Sequence, residues 1–180
     1  MKQVFLIGGI LIVVVGLGVV YFFLQQEKGD IDDVSVANFE ECRTAGYPIM
    51  ESYPQRCRTP DGKTFAEDIG NELEKADLIR VVSPRPTQTI SSPLVLEGEA
   101  RGVWFFEASF PIKLLDGNGK EIAVAIAQAQ GEWMTEEFVP FLATLEFSMP
   151  DTEGGTLIFQ KDNPSGLPEH ADSLVMPIRF

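Results

Sequence analysis

Cysteine and histidine are nearly absent: the 180 residues contain two cysteines, Cys42 and Cys57, and one histidine, His170. A structural zinc site needs about four Cys or His ligands at characteristic spacing, and this chain has no such set. Fourteen residues separate the two cysteines, so the Cys-x-x-Cys spacing of a redox pair is missing as well. Positive charge is also scarce, with 14 basic against 27 acidic side chains and a net charge of −13. Nucleic acid and anionic lipid headgroups both reward clustered Lys and Arg, so neither is expected as the main partner. There is no Gly-x-Ser-x-Gly, no phosphate-cradling glycine loop and no His-x-x-x-His pair. Asp116-Gly-Asn-Gly-Lys120 starts like a calcium loop, but the position that needs a bidentate glutamate is Ala127, and a hairpin turn is expected instead. No cofactor, no metal and no catalytic activity are expected from these residues.

What the chain does have begins at its amino terminus. Val4 to Leu24 is an uncharged run of 21 residues, closed by Tyr21, Phe22 and Phe23. As a helix it would span roughly 30 Å at about 1.5 Å per residue, the thickness of the hydrocarbon core. A cleaved signal peptide has a shorter apolar core and small residues at its cleavage site, whereas this run ends in Tyr-Phe-Phe-Leu-Gln-Gln. An uncleaved transmembrane anchor, residues 1–28, is the expectation, with the bilayer as partner of residues 4–24. Lys2 and the amino terminus flank one side, and Asp30, Asp32 and Asp33 follow on the other. The positive-inside rule therefore puts the amino terminus in the cytoplasm and residues 25–180 outside.

Residues 29–77 read as an acidic, turn-rich stalk. An exported cysteine pair in an oxidising compartment usually bonds, so Cys42 and Cys57 are expected to form a disulfide. Thr59-Pro-Asp-Gly-Lys63 carries the residues of a tight turn. With Met50 to Cys57 and Lys63 to Glu67 as short flanking strands, the segment is expected to be a small stapled hairpin.

From Leu78 onward seven segments have strand character: Leu78–Val82, Leu94–Ala100, Trp104–Leu115, Glu121–Gln130, Phe138–Phe147, Thr156–Gln160 and Ser173–Phe180. In the third, Trp104, Phe106, Ala108, Phe110, Ile112 and Leu114 alternate with Glu107, Ser109 and Lys113. Seven short strands in about 100 residues, with turn signals between them, describe an all-β, seven-stranded immunoglobulin-like sandwich. The expected core is Trp104, Phe106, Phe110, Phe141, Leu145 and Phe147.

Several motifs follow one another in a recognisable order: Gly98-Glu-Ala100, Trp104-Phe-Phe-Glu-Ala-Ser-Phe-Pro111, Asp116-Gly-Asn-Gly119, Gly131-Glu-Trp-Met-Thr135, Val139-Pro-Phe141 and Gly155-Thr-Leu157. Lys161-Asp-Asn-Pro-Ser-Gly166 and Val175-Met-Pro-Ile178 complete the series. Together, residues 78–180 resemble the immunoglobulin-like domain of bacterial spore-germination and sporulation proteins. The resemblance implies a non-catalytic extracytoplasmic domain, commonly attached to other envelope modules.

The candidate binding residues are aromatic or soft: Phe105, read as pointing opposite Trp104 and Phe106, and Trp133-Met134 in a turn before Phe138. The bland reading of the same residues is that Trp133 and Met134 cap the open end of the core and Phe105 faces the second sheet. The combined expectation is a membrane-anchored binding or scaffolding protein of the bacterial envelope, with an envelope protein or cell-wall polymer as partner. Two alternatives remain open at this stage. One is an envelope hydrolase using loop carboxylates such as Glu107 with Glu136 or Glu137. The other is an accessory subunit of a membrane complex.

Overall fold

The computed structural model describes residues 35–180. The expected membrane helix over Val4–Leu24 lies outside the described residues, and among these no helix is long and apolar enough to cross a membrane.

Asn38 opens the first helix, α1 (Phe39–Thr44), because its side-chain oxygen accepts the Glu41 N–H at 2.9 Å. Glu40 and Glu41 in the first turn and Arg43 in the last suit the helix dipole. The helix buries Cys42, which is bonded to Cys57 with a Cα–Cα distance of 6.0 Å. Cys57 sits in the middle strand of a three-stranded sheet formed by β1 (Ile49–Met50), β2 (Arg56–Arg58) and β3 (Thr64–Ala66). The expected turn closes β2 to β3: the Thr59 N–H donates to the Lys63 carbonyl at 3.0 Å, and Gly62 takes φ +90°. The expected hairpin is present between β2 and β3, but its first arm, expected over Met50–Cys57, is corrected: residues 51–54 bend, so Met50 pairs back against Arg56 as part of a third strand, with a helix stapled to the sheet.

After α2 (Glu72–Lys75) come seven strands: β4 (Ile79–Ser83), β5 (Leu94–Arg101), β6 (Ser109–Asp116), β7 (Glu121–Ala129), β8 (Phe138–Leu145), β9 (Gly154–Gln160) and β10 (Ser173–Arg179). They form one antiparallel sheet in the order β10-β9-β6-β7-β8-β5-β4. β7 and β8 are paired only at Gln128↔Leu142 and Ala129↔Phe141, so the sheet folds there into two halves. On the far side the chain following β4 crosses to β10, where Thr89 pairs with Arg179 in parallel. That crossing nearly closes the sheet around a core of Trp104, Phe110, Phe141, Phe159, Leu96 and Met176, among others.

The alternation read from sequence survives in β6, where Phe110, Ile112 and Leu114 are fully buried. It fails upstream. Gly102–Trp104 is a 3-10 turn, and Glu107 and Ala108 take φ +48° and +61°. Phe106 and Ser109 exchange backbone hydrogen bonds of 3.0 and 3.1 Å across them, closing a two-residue hairpin turn. The expected strand from Trp104 is thus corrected to one starting at Ser109. Phe106 leaves the core and is 41% exposed, while Trp104 remains fully buried. Phe147 is half-buried rather than central, its ring packing 6.0 Å from that of Phe180.

Residues Asn38–Phe180 make one compact unit, with the disulfide segment docked on the sheet. Arg85 holds the Glu72 carboxylate at 2.8 Å and the Tyr53 hydroxyl at 2.7 Å, and Tyr53 itself hydrogen-bonds Glu72. Thr87 donates to Glu67 at 3.0 Å, and Arg179 pairs with Glu40 at 2.7 Å. Asn71 works along the edge of β10, donating from its side chain to the Ser173 carbonyl at 3.0 Å and accepting the Val175 N–H at 2.7 Å.

Candidate functional site

Three connections meet at one end of the sandwich: residues 102–108 between β5 and β6, residues 130–137 between β7 and β8, and residues 161–172 between β9 and β10. Backbone contacts bind them to one another. The Asp162 N–H donates to the Trp104 carbonyl at 3.0 Å, and at the end of β7, next to the second connection, the Ala129 N–H donates to the Ala108 carbonyl at 2.8 Å. Gly102 lies so close under the second connection that a Cβ there would meet the Thr135 oxygen at 2.0 Å and the Trp133 oxygen at 2.3 Å. Only glycine allows that approach.

The three candidate binding residues separate in space. Phe105 is 4% exposed, its ring edge-on to Phe110 at 5.3 Å. Phe110 is edge-on to Phe141 at 5.0 Å in turn. The expected outward orientation of Phe105 is therefore corrected: the 3-10 turn carries both Trp104 and Phe105 inward, and the turn at Glu107-Ala108 puts Phe106 outside. Trp133 is half-buried and packs on the core. Met134 is 74% exposed, the largest fraction of any exposed large hydrophobic residue described.

Sequence reasoning missed Phe106, Val103 and Leu167, all exposed and all on these same connections. Nothing in a period-2 pattern separates Phe106 from Trp104, because the turn uses Glu and Ala rather than Asn and Gly. The same connections carry the exposed carboxylates Glu107, Glu132, Glu136, Glu137 and Glu169, none of which forms an ion pair among the described residues. Behind the second connection, Arg80 and Arg101 lie over the Phe138 ring at 4.0 and 4.3 Å, and Arg101 also donates to the Glu136 carbonyl at 2.9 Å. That end thus carries exposed apolar side chains and unpaired carboxylates on connections whose backbones are braced against one another.

Elsewhere, a cleft of about 330 Å³ is lined by polar residues that include Lys75, Asp172 and Gln160. Lys75 closes on Asp172 at 2.6 Å, while Glu74 on the same lining forms no ion pair among the described residues. Among the described residues no group of three or more His, Cys, Asp or Glu stands together as a metal site. The clamp on the disulfide segment is the most perturbed titrating feature. Loss of solvent around the hydroxyl, and then the Glu72 carboxylate beside it, push the Tyr53 phenol well above its usual range. Hydrogen bonds from Arg43 and Arg179 hold the Glu40 carboxyl below its usual value.

The strand order, the parallel crossing after β4 and the clustered loops define an immunoglobulin-like sandwich. Residues 78–166 match the family model of the immunoglobulin-like domain of bacterial spore germination, and this stretch is a domain of that family. β10, which lies beyond the match, completes the sheet. No curated protein and no solved structure matches the chain significantly.

Proposed function

We propose that this chain is a membrane-anchored, extracytoplasmic, non-catalytic binding or scaffolding protein of the bacterial envelope, with a germination-associated role carried by its immunoglobulin-like domain. The observation that carries the binding reading is the loop end of the sandwich, where Met134, Phe106, Val103 and Leu167 are each exposed on connections that hydrogen bonds and Gly102 hold in place. Exposed apolar groups with a polar rim are the usual composition of a recognition surface. The rim is acidic, and this favours a partner with basic groups around an apolar contact. Trp133 supports the tip from below, and Phe105 contributes by filling the core beneath it.

The anchor reading rests on the uncharged run Val4–Leu24 and on the charge asymmetry around it. Oriented that way, residues 25–180 lie outside the membrane, where the Cys42–Cys57 disulfide persists.

The test is capture of an envelope protein or of purified cell-wall polymer by the full chain. Phe106→Asp combined with Met134→Asp replaces two exposed side chains and is expected to abolish capture with unchanged melting. Val95→Asp, on the outer face of β5, is expected to leave capture intact. Capture that persists in the double variant contradicts the assignment of the site.

A further inference from the structure

We propose that Asn118 is a site of self-modification. Its side-chain amide is lost to attack by the Gly119 backbone nitrogen, and aspartate or isoaspartate is left in the turn between β6 and β7.

The chain has four asparagines, and three of them are held. Asn38 caps α1: its side-chain oxygen accepts the Glu41 N–H, and its amide donates to the Glu41 carboxylate at 2.8 Å. Asn71 is bonded to β10 through both ends of its amide. Asn163 donates to the Leu167 carbonyl at 2.8 Å and precedes Pro164, which has no N–H with which to attack. Asn118 differs on each count. It is exposed, and its side-chain amide has no hydrogen bond among the described residues. Gly119 follows it, and the missing Cβ leaves the backbone nitrogen uncrowded. A Cβ placed there would meet nothing within 4 Å, so solvent reaches this peptide from the side.

The reaction needs only water. Hydroxide takes the proton of the Gly119 nitrogen, the nitrogen bonds to the Asn118 Cγ, and the Cγ–Nδ2 bond breaks. Nδ2 leaves as ammonia, carrying a proton from solvent in place of the one removed. Water then opens one or the other carbonyl of the resulting succinimide, which gives aspartate or isoaspartate. The Asp-Gly steps nearby are poorer substrates because an ionised carboxylate is a poor electrophile. Thr59 and then Lys63 hold the Asp61 carboxyl down to about 2. In the closed turn the Gly119 N–H donates to the Asp116 carbonyl at 2.9 Å. Reaction therefore follows opening of the exposed tip, residues 117–120, and is slower than in the unfolded chain.

Isoaspartate routes the backbone through the former side chain and adds a methylene before Gly119. The Asp116 carboxylate, which accepts the Asn118 and Lys120 N–H groups at 2.9 Å, then loses that pairing and gains a like charge beside it. The turn end of β6 and β7 loosens.

Incubating the full chain in detergent at mildly alkaline pH, beside the same chain unfolded in urea, tests the site. Peptide mass spectrometry and isoaspartyl-specific methylation read the products. Amide loss at Asn118 is expected in the folded chain, rising in proportion to hydroxide, while Asn38, Asn71 and Asn163 keep their amides. The aged chain, separated by its extra negative charge, is expected to lose hydrogen-exchange protection at Lys120. Asn118→Gln, which would have to close a larger ring, is expected to keep both its amide and that protection. An Asn118 amide still intact when the unfolded chain has converted completely overturns the proposal, as does faster loss at another asparagine. Unchanged protection at Lys120 in the aged chain overturns the loosening of the turn.

Discussion

At Trp104 the chain places its largest side chain fully inside the sandwich, with the indole N–H buried and unpartnered. An unpaired donor is a cost, so the ring is retained for the volume it fills. Removing that volume by Trp104→Ala is expected to cost about 3–5 kcal/mol, enough to unfold the domain at ambient temperature; a melting curve close to wild type would contradict the core assignment. Arg85 illustrates the opposite economy. It is the partner of Glu72, whose side chain is only 10% exposed. Arg85→Ala leaves that carboxylate with the Tyr53 hydroxyl but no cation and is expected to cost on the order of 1–3 kcal/mol. Arg43→Ala at the exposed pair with Glu40 is expected to cost about 0–1 kcal/mol. Denaturant unfolding of both variants checks the ordering. Glu40 adds a pH dependence. Its carboxyl is lowered from the usual 4.5 by Arg43 and Arg179, so its contribution is full above that value and is lost as pH falls further through the folded pKa. Holding of the disulfide segment against the sheet is expected to weaken in that acid range, and Glu40→Gln is expected to flatten the slope in acid titrations of stability.

Among the elements, those with unbroken alternation were readable from the residues alone. Phe138–Leu145 and Ser109–Asp116 bury every second side chain, and Asp116-Gly-Asn-Gly-Lys120 turns between β6 and β7 with Gly119 at φ +79° and the Asp116 side chain accepting two backbone N–H groups at 2.9 Å. The start of β6 was not readable, for a physical reason. Glu107 and Ala108 adopt left-handed conformations that side chains seldom take, and the sequence offers no Gly or Asn to announce them. The site suffered with it, because Phe105 and Phe106 exchange places when the strand becomes a turn. The crossing at residues 87–90 was hidden too, since Pro-Arg-Pro-Thr-Gln-Thr has no strand pattern and pairs with β10 over a single bridge. Asn71, outside the family match, protects the same β10 edge. Asn71→Ala is expected to lower stability by about 1 kcal/mol per hydrogen bond lost and to raise the aggregation rate on heating. Light scattering during a thermal ramp reads the second effect, and an unchanged onset would mean that residues 87–90 guard the edge alone.

For the molecule as a whole, the disulfide segment and the sandwich act together. Cys42 and Cys57 are both fully buried between α1 and β2. In the chain-entropy model a loop of this size contributes about 3 kcal/mol. Cys42→Ser with Cys57→Ser is expected to lose that amount and to loosen residues 38–77 before the sheet, visible as earlier hydrogen exchange there than in β5, β6 and β9. The acidic surplus, a net charge of −13, makes most of the surface repel further copies of the chain. The proposed function puts recognition at the loop end. Hydrogen exchange of the full chain, measured with and without its captured protein or wall polymer, decides it. Protection confined to residues 102–108, 130–137 and 161–172 is the predicted result, and protection on the outer faces of the sheet with those connections unchanged would contradict it.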